Sequence, residues 1–187
     1  MKMKANATIL STALLLSSVV AHAEINTVNL TKKNPLSAAM KPAAFEGEAS
    51  APDLAPIQGD PDGGDGAADG CVKINSTGKG GFFGATLTLG TADSADKTIE
   101  ISTHVFNVNT SYVKYSVQVY NVTDKRVLAS SPMEVLDKKK VTEKTVKLQY
   151  KTTAEDKGDT LELRWVQHST DSTARDLYVD NVKVTAK

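Results

Sequence analysis

Apolar and polar residues alternate with a period of two in a series of short runs from Cys71 to the C-terminus. The clearest runs are TIEIS at residues 98–102, VKYSVQV at 113–119 and TVKLQY at 145–150. This alternation indicates half-buried β-strands, and turns rich in Gly, Asp and Lys separate the runs. No segment keeps a helical period over three turns. Residues 71–187 are therefore predicted to be all-β, a single antiparallel β-sandwich with one core.

The first 23 residues have the pattern of a secretory signal peptide. Lys2 and Lys4 precede a short apolar run at residues 13–20, and Ala21-His22-Ala23 follows as a small-x-small cleavage site. The run is shorter than the roughly 20 apolar residues that a membrane-spanning helix needs. We therefore expect cleavage after Ala23, a secreted or periplasmic protein, and no insertion into the membrane.

Residues 24–70 have the composition of a linker. They hold five of the six prolines and many Ala, Ser and Gly residues, and no strand or helix period is sustained. Such a segment buries too little apolar surface to offset the entropy of ordering it. We predict a disordered, flexible N-terminal arm that ends in an Asp- and Gly-rich spacer at residues 59–70.

The charge and the cysteine count exclude several classes of function. Loss of Lys2 and Lys4 leaves 20 basic against 22 acidic residues, a balance that argues against nucleic acid as a partner. Cys71 is the single cysteine, so no internal disulfide and no thiolate zinc site can form. We interpret Cys71 as a small apolar residue at the start of a strand.

Two segments near the C-terminus carry a family resemblance. GDTLELRW at residues 158–165 and LYVDNVKV at residues 177–184 resemble the closing strands of jelly-roll carbohydrate-binding modules. These modules are galactose-binding-domain-like sandwiches that are often attached to polysaccharide-degrading enzymes. The resemblance implies a jelly-roll fold and a polysaccharide or glycan as the ligand.

The same resemblance implies a structural Ca²⁺ ion. Its ligands would be Asp180 and Glu46, the latter in the Phe-Glu pair that resembles the opening of some of these modules. Two alternatives stay open. In the first, aspartates of the acidic spacer hold the ion; these are Asp60, Asp62 and Asp65. In the second, Asp180 is a strand-end residue that binds backbone amides, and no Ca²⁺ is present.

A candidate sugar-binding face follows from the alternation at residues 112–120. The apolar face holds Val113, Tyr115, Val117 and Val119, so the other face carries Tyr112, Lys114, Ser116, Gln118 and Tyr120. Glu162 and Arg164 of the penultimate run are expected to join that face. Flat aromatic rings beside hydrogen-bonding side chains suit a sugar, although an ordinary solvated sheet face is an alternative. Trp165 alternates with Leu161 and Leu163 and is expected in the core.

The sequence shows no catalytic constellation. It contains no Gly-x-Ser-x-Gly turn, no His-Glu-x-x-His motif and no phosphate-binding glycine loop before a helix. We therefore predict that the chain is not an enzyme and has no catalytic residues. Two functions remain as hypotheses: a secreted carbohydrate-binding module, or a structural or adhesive surface protein that binds another protein.

Overall fold

The computed structural model describes residues 24–25, 27–30, 36–47, 50–57, 71–75, 80–108, 111–137, 142–169 and 175–187. Nearly all regular structure in these ranges is β. The strands are β1 (Val28–Leu30), β2 (Lys41–Gly47), β3 (Leu54–Ile57), β4 (Cys71–Ile74), β5 (Gly81–Thr91), β6 (Thr98–Asn107), β7 (Val113–Asn121), β8 (Arg126–Ser130), β9 (Glu134–Leu136), β10 (Thr142–Lys151), β11 (Thr160–Ser169) and β12 (Leu177–Ala186). A four-residue helix, α1 (Leu36–Ala39), and a 3₁₀ turn (Ala154–Asp156) complete the described elements.

The strands form two six-stranded antiparallel sheets. Sheet A has the order β10-β6-β12-β4-β3, with β1 paired to β12 beside β4. Sheet B has the order β2-β5-β11-β7-β8, with β9 paired to β7 beyond β8. Neighbours in each sheet are mostly distant in sequence, and the apolar faces of the two sheets pack against each other. The predicted all-β sandwich is confirmed.

Trp165 lies in the centre of the core, as the alternation predicts. Its side chain is fully buried, together with Tyr115 and Phe83 of the same sheet. The indole Nε1 donates a hydrogen bond to Thr103 Oγ1 on β6, 3.2 Å away, so Trp165 links sheet B to sheet A. Cys71 is also buried and packs with Phe106 and Tyr178, as expected of a small apolar residue.

Asp156 makes a second link between the sheets at one end of the sandwich. Its buried carboxylate accepts hydrogen bonds from Tyr150 Oη on β10 at 2.6 Å and from Arg126 Nη2 on β8 at 2.7 Å. The backbone N–H and the hydroxyl of Thr153 donate to the same carboxylate at 2.8 and 2.9 Å. Because Tyr150 belongs to sheet A and Arg126 to sheet B, this carboxylate joins their edges.

The structure differs from the sequence prediction within residues 24–70. This region supplies α1 and three strands: β1 pairs with β12, β2 with β5, and β3 with β4. β2 and β3 are edge strands and each contains a proline, which an edge tolerates because one side of the strand needs no ladder hydrogen bonds. β2 stays mostly exposed, so the apolar alternation that marks a strand is missing from its sequence. Residues 1–23 and the acidic spacer at 59–70 lie outside the described residues.

Among the described residues, no helix is both long and apolar enough to cross a membrane.

Candidate functional site

Four of the predicted sugar-binding residues meet on the outer face of sheet B. Arg164 of β11 lies opposite Gln118 of β7, and Glu162 lies opposite Tyr120 in the same register. All four are partly buried, whereas the residues that alternate with them point into the core. Cross-strand neighbours on one face are close enough for their side chains to touch. Alternation gives the side of the sheet on which each residue lies, and the pairing of β7 with β11 makes the four residues neighbours.

Arg164 is the centre of this group. Its guanidinium carbon lies 3.1 Å from the ring centroid of Tyr120 and 4.9 Å from that of Phe45 on β2. Its Nε donates to Glu162 Oε1 at 2.6 Å, and the two side chains are only 17% and 14% exposed. A cation stacked on aromatic rings and shielded from water is held more strongly than an exposed one. Neither Nη atom has a hydrogen-bond partner among the described residues, so both can donate to a ligand.

A cleft of about 250 Å³ opens beside Arg164. We call it the sheet B cleft, and it is lined by Phe45, Glu46, Phe82, Gln118, Val127, Arg164 and Val166. Val166 is almost completely buried beneath it, and Gly84 lies opposite Val166 on β5. A Cβ at Gly84 would stand 1.8 Å from the Trp165 carbonyl oxygen and 3.4 Å from the Phe45 ring. The absence of a side chain at Gly84 therefore lets the backbone of β11 approach β5 at this position.

Phe82 and His168 extend the aromatic character of this face and were not among the predicted site residues. Their rings stack with centroids 4.5 Å apart and an angle of 21° between the planes. His168 lies within β11, directly opposite Phe82 of β5. The signal in the sequence was the Phe82-Phe83 pair, because in a strand one of two consecutive aromatic residues must face outward.

Tyr112 and Lys114 lie away from the cleft. Tyr112 precedes β7, and its ring lies 4.8 Å from the guanidinium carbon of Arg175. Lys114 is on the outer face of sheet B, but it is opposite His168 in β11 and Val135 in β9. Neither residue lines the sheet B cleft. Of the predicted residues in this segment, Gln118 lines the cleft, Lys114 lies farther along β7 and Tyr112 precedes the strand.

The two predicted calcium ligands do not form a metal site in the described part of the chain. Glu46 is on sheet B, whereas Asp180 is on sheet A. The Asp180 carboxylate accepts hydrogen bonds from the backbone N–H and the Nδ2 of Asn181, at 2.7 and 3.2 Å. The described residues contain no group of three His, Cys, Asp or Glu side chains that could hold a metal ion.

Calcium binding stays a prediction that depends on the acidic spacer, because the spacer aspartates lie outside the described residues. If the protein binds Ca²⁺, the midpoint temperature of thermal unfolding should rise when Ca²⁺ is added and return to its starting value when a chelator is added.

Chemically, the sheet B cleft suits a ligand that has both flat apolar faces and many hydroxyls. Phe45 and Phe82 offer ring faces and edges, and Arg164 offers N–H donors. Glu46 supplies carboxylate oxygens, and Gln118 supplies a donor and an acceptor in one side chain. The rings and polar groups lie on four adjacent strands of sheet B, which are β2, β5, β11 and β7.

No protein-family model and no curated protein sequence matches the chain. Its fold is nevertheless similar to solved structures. A cyclase from Fischerella sp. TAU is 15% identical with a TM-score of 0.57, over 87% of this chain and 98% of that one. The xylan-binding domain CBM22-1 from Paenibacillus barcinonensis is 12% identical with a TM-score of 0.55, over 89% and 97%.

An arabinose-bound α-L-arabinofuranosidase is 16% identical with a TM-score of 0.58 and matches 88% of this chain. The match covers 26% of that enzyme, so the chain spans about a quarter of its length. These likenesses confirm the predicted jelly-roll fold of the carbohydrate-binding-module type. At such low identities they establish the fold alone.

The prediction that the chain is not an enzyme is contradicted by the same comparisons. The Fischerella cyclase is an enzyme whose whole chain has this fold, so a sandwich of this size is compatible with catalysis. The prediction relied on the lack of known linear motifs. A β-sandwich assembles its sites from side chains on different strands, and no linear motif records that assembly.

Proposed function

We propose that this protein binds carbohydrate through the sheet B cleft. The observation that carries the proposal is the arrangement around Arg164, which is stacked on Tyr120, faces Phe45 and is hydrogen bonded to Glu162. This arrangement holds two unused N–H donor groups rigidly beside a carboxylate. The likeness of the fold to a xylan-binding domain supports the proposal.

The contacts change the role expected for Tyr120. Sugars pack the C–H faces of their rings on aromatic faces, but one face of Tyr120 is covered by the guanidinium 3.1 Å away. Tyr120 also does not line the cleft, so its role is to support and position Arg164. The apolar packing surface of the cleft comes from Phe45 and Phe82, which both line it. Arg164 and Gln118 then bind the hydroxyls of the same sugar units.

The size of the cleft sets the length of glycan that it binds. Its 250 Å³ is below the roughly 300–1,000 Å³ of pockets that enclose a small molecule. The cleft therefore suits one or two sugar units of a longer chain that lies on the sheet, with most of the chain outside.

Affinity electrophoresis through gels that contain neutral polysaccharides tests the proposal. The purified protein should retain residues 41–47, because β2 contributes Phe45 and Glu46 to the cleft. We expect retardation by at least one neutral glycan. Arg164→Lys keeps the charge but loses the planar stacked donor, and we expect it to weaken binding about ten-fold.

Gln118→Ala removes a neutral hydrogen-bonding group and should weaken binding by roughly two- to ten-fold. The matched control is Thr145→Ala, an exposed position on β10 of the opposite sheet, which should leave the affinity unchanged. Thermal unfolding of each variant establishes that it is folded. The proposal fails if no neutral glycan retards the protein, or if folded Arg164→Lys and Gln118→Ala bind as the parent does.

Export from the cytoplasm is part of the proposal and depends on residues 1–23. N-terminal sequencing of the protein recovered outside the cytoplasm should begin at Glu24. A chain that keeps Met1 and remains in the cytoplasm would remove this part of the proposal without affecting the cleft.

Binding to another protein is a second candidate function, favoured by exposed apolar residues at the β8–β9 edge of sheet B. Val127, Met133 and Val135 are 49%, 46% and 58% exposed. Sedimentation over a range of concentrations tests the simplest form, which is self-association. A mass that rises with concentration and stays monomeric in Val135→Lys would support it, whereas a monomer at every concentration would argue against it.

A further inference from the structure

The outer face of sheet A carries polar residues in regular cross-strand rows. Lys147 of β10, Ser102 of β6 and Lys183 of β12 are directly opposite one another and form one row. The next row on the same face consists of Gln149, Glu100 and Thr185. Two rows of three hydrogen-bonding side chains therefore stand on three adjacent strands.

A cavity of about 590 Å³ lies over these rows. It is lined by Glu100, Ile101, Ser102, Lys147, Leu148, Gln149, Lys183, Thr185 and Lys187. It has more than twice the volume of the sheet B cleft and lies on the other side of the sandwich. No residue lines both.

The charged side chains that line this cavity carry a net positive charge. Lys187 Nζ donates to Glu100 Oε2 at 2.7 Å, so these two charges offset each other. In the neighbouring row Lys151 is paired with Asp96 at 2.8 Å. Lys147 and Lys183 are exposed, and neither has a carboxylate partner among the described residues. Two ammonium groups therefore point into the cavity without a counter-charge from the described chain.

We propose that this face of sheet A is a second binding site, which takes an acidic polysaccharide. Lys147 and Lys183 bind anionic groups on two sugar units of one chain. Because β6 lies between their strands, their backbones are two strand spacings apart, about 9.5 Å. Ser102, Gln149 and Thr185 bind the hydroxyls.

Glu100 favours an acidic sugar over a simple anion. Its carboxylate is paired with Lys187 and stands in the middle of the second row, where it accepts hydrogen bonds and offers no donor to a further anionic group of a ligand. The same carboxylate accepts hydrogen bonds from hydroxyls, as it already does from Thr185 Oγ1 at 3.4 Å. A ligand that carries both anionic groups and hydroxyls satisfies the lysines and Glu100 together.

The test measures binding of the purified full chain to four soluble polymers by titration calorimetry at low and at physiological salt. The polymers are polygalacturonate, which is carboxylated, dextran sulfate, neutral dextran and poly-glutamate. We expect binding to an acidic glycan, and its carboxylated and sulfated forms identify which anionic group is preferred. The double variant Lys147→Gln/Lys183→Gln should weaken that binding about ten-fold.

The matched control removes the same charge elsewhere. Lys125→Asn/Lys157→Gln changes two exposed lysines outside the cavity, and asparagine tolerates the positive φ of 56° at position 125. This control should bind the acidic glycan as the parent does. Arg164→Lys should also leave this binding unchanged, which separates the second site from the sheet B cleft.

Three results would overturn the proposal: no binding of either acidic glycan, equal losses in the two double variants, or poly-glutamate binding as tight as that of the acidic glycan. The last two would indicate attraction to any polyanion. Failure of neutral glycan binding at the cleft would leave this site untouched.

Discussion

Replacing Asp156 with alanine should destabilise the sandwich more than any exposed charge substitution. The carboxylate is completely buried and accepts four hydrogen bonds, from Tyr150, Arg126 and the N–H and hydroxyl of Thr153. Removing it leaves the donors of Tyr150 and Thr153 without their acceptor, which costs about 1–3 kcal/mol for each group that stays buried. Arg126 is 40% exposed and regains water when its partner is lost, so we expect a total cost of about 3 kcal/mol.

Urea unfolding measures this cost, and Asp124→Ala is the matched control. Asp124 contacts the same Arg126 at 3.4 Å, but its side chain is 46% exposed, so its loss should cost about 0–1 kcal/mol. For a chain of this size, 3 kcal/mol corresponds to a fall of roughly 6–12 °C in the unfolding midpoint. Equal free energies of unfolding for the two variants would refute the view that Asp156 links the two sheets.

The same carboxylate makes stability depend on pH in a defined direction. Burial acts to raise the pKa of Asp156, but hydrogen bonds from Tyr150 and Thr153 and the charge of Arg126 outweigh it and hold the pKa below its ordinary value. The stabilisation is therefore complete above the unfolded pKa of about 3.9 and is lost as pH falls through the lower folded pKa. Asp156→Asn should be less stable than the parent at pH 7, and the difference in free energy of unfolding should shrink below pH 4. A constant difference would contradict this.

Three further outcomes are expected. Burial and the nearby Asp156 charge raise the pKa of Tyr150 to about 12. The stabilisation that the neutral Tyr150 hydroxyl contributes should therefore persist to about pH 10 and be lost toward pH 12. Alkaline unfolding of the parent and of Tyr150→Phe tests this. Gly84→Ala should cost roughly 3 kcal/mol or more by thermal unfolding, because its Cβ would overlap the Trp165 carbonyl. Thr103→Val leaves the buried Trp165 N–H without its acceptor and should cost about 1–3 kcal/mol in urea unfolding.

Period-two alternation made the fold predictable where strands have one buried face. The runs at residues 98–102, 113–119 and 145–150 lie in β6, β7 and β10, and Trp165 is in the core as its alternation requires. β2 could not be predicted in this way. It is held by backbone hydrogen bonds to β5 and buries little, so its side chains carry no periodic signal.

Alternation also brought Gln118, Tyr120, Glu162 and Arg164 onto one face, since it fixes the side of the sheet on which a residue lies. It does not fix which strands are neighbours. The contribution of Phe45 depends on the pairing of β2 with β5, and the stacking of Phe82 on His168 depends on the pairing of β5 with β11. Those pairings join residues that are far apart in the sequence, and local pattern contains no information about them.

The measurement that tests the sheet B cleft most directly is a nuclear magnetic resonance titration of the labelled protein with the neutral glycan that retards it most. We expect amide shifts around Gly84, Gln118 and Arg164, with few changes in the strands of sheet A. Shifts confined to sheet A or to the loops at the ends of the sandwich would contradict it, as would a spectrum that no neutral glycan changes.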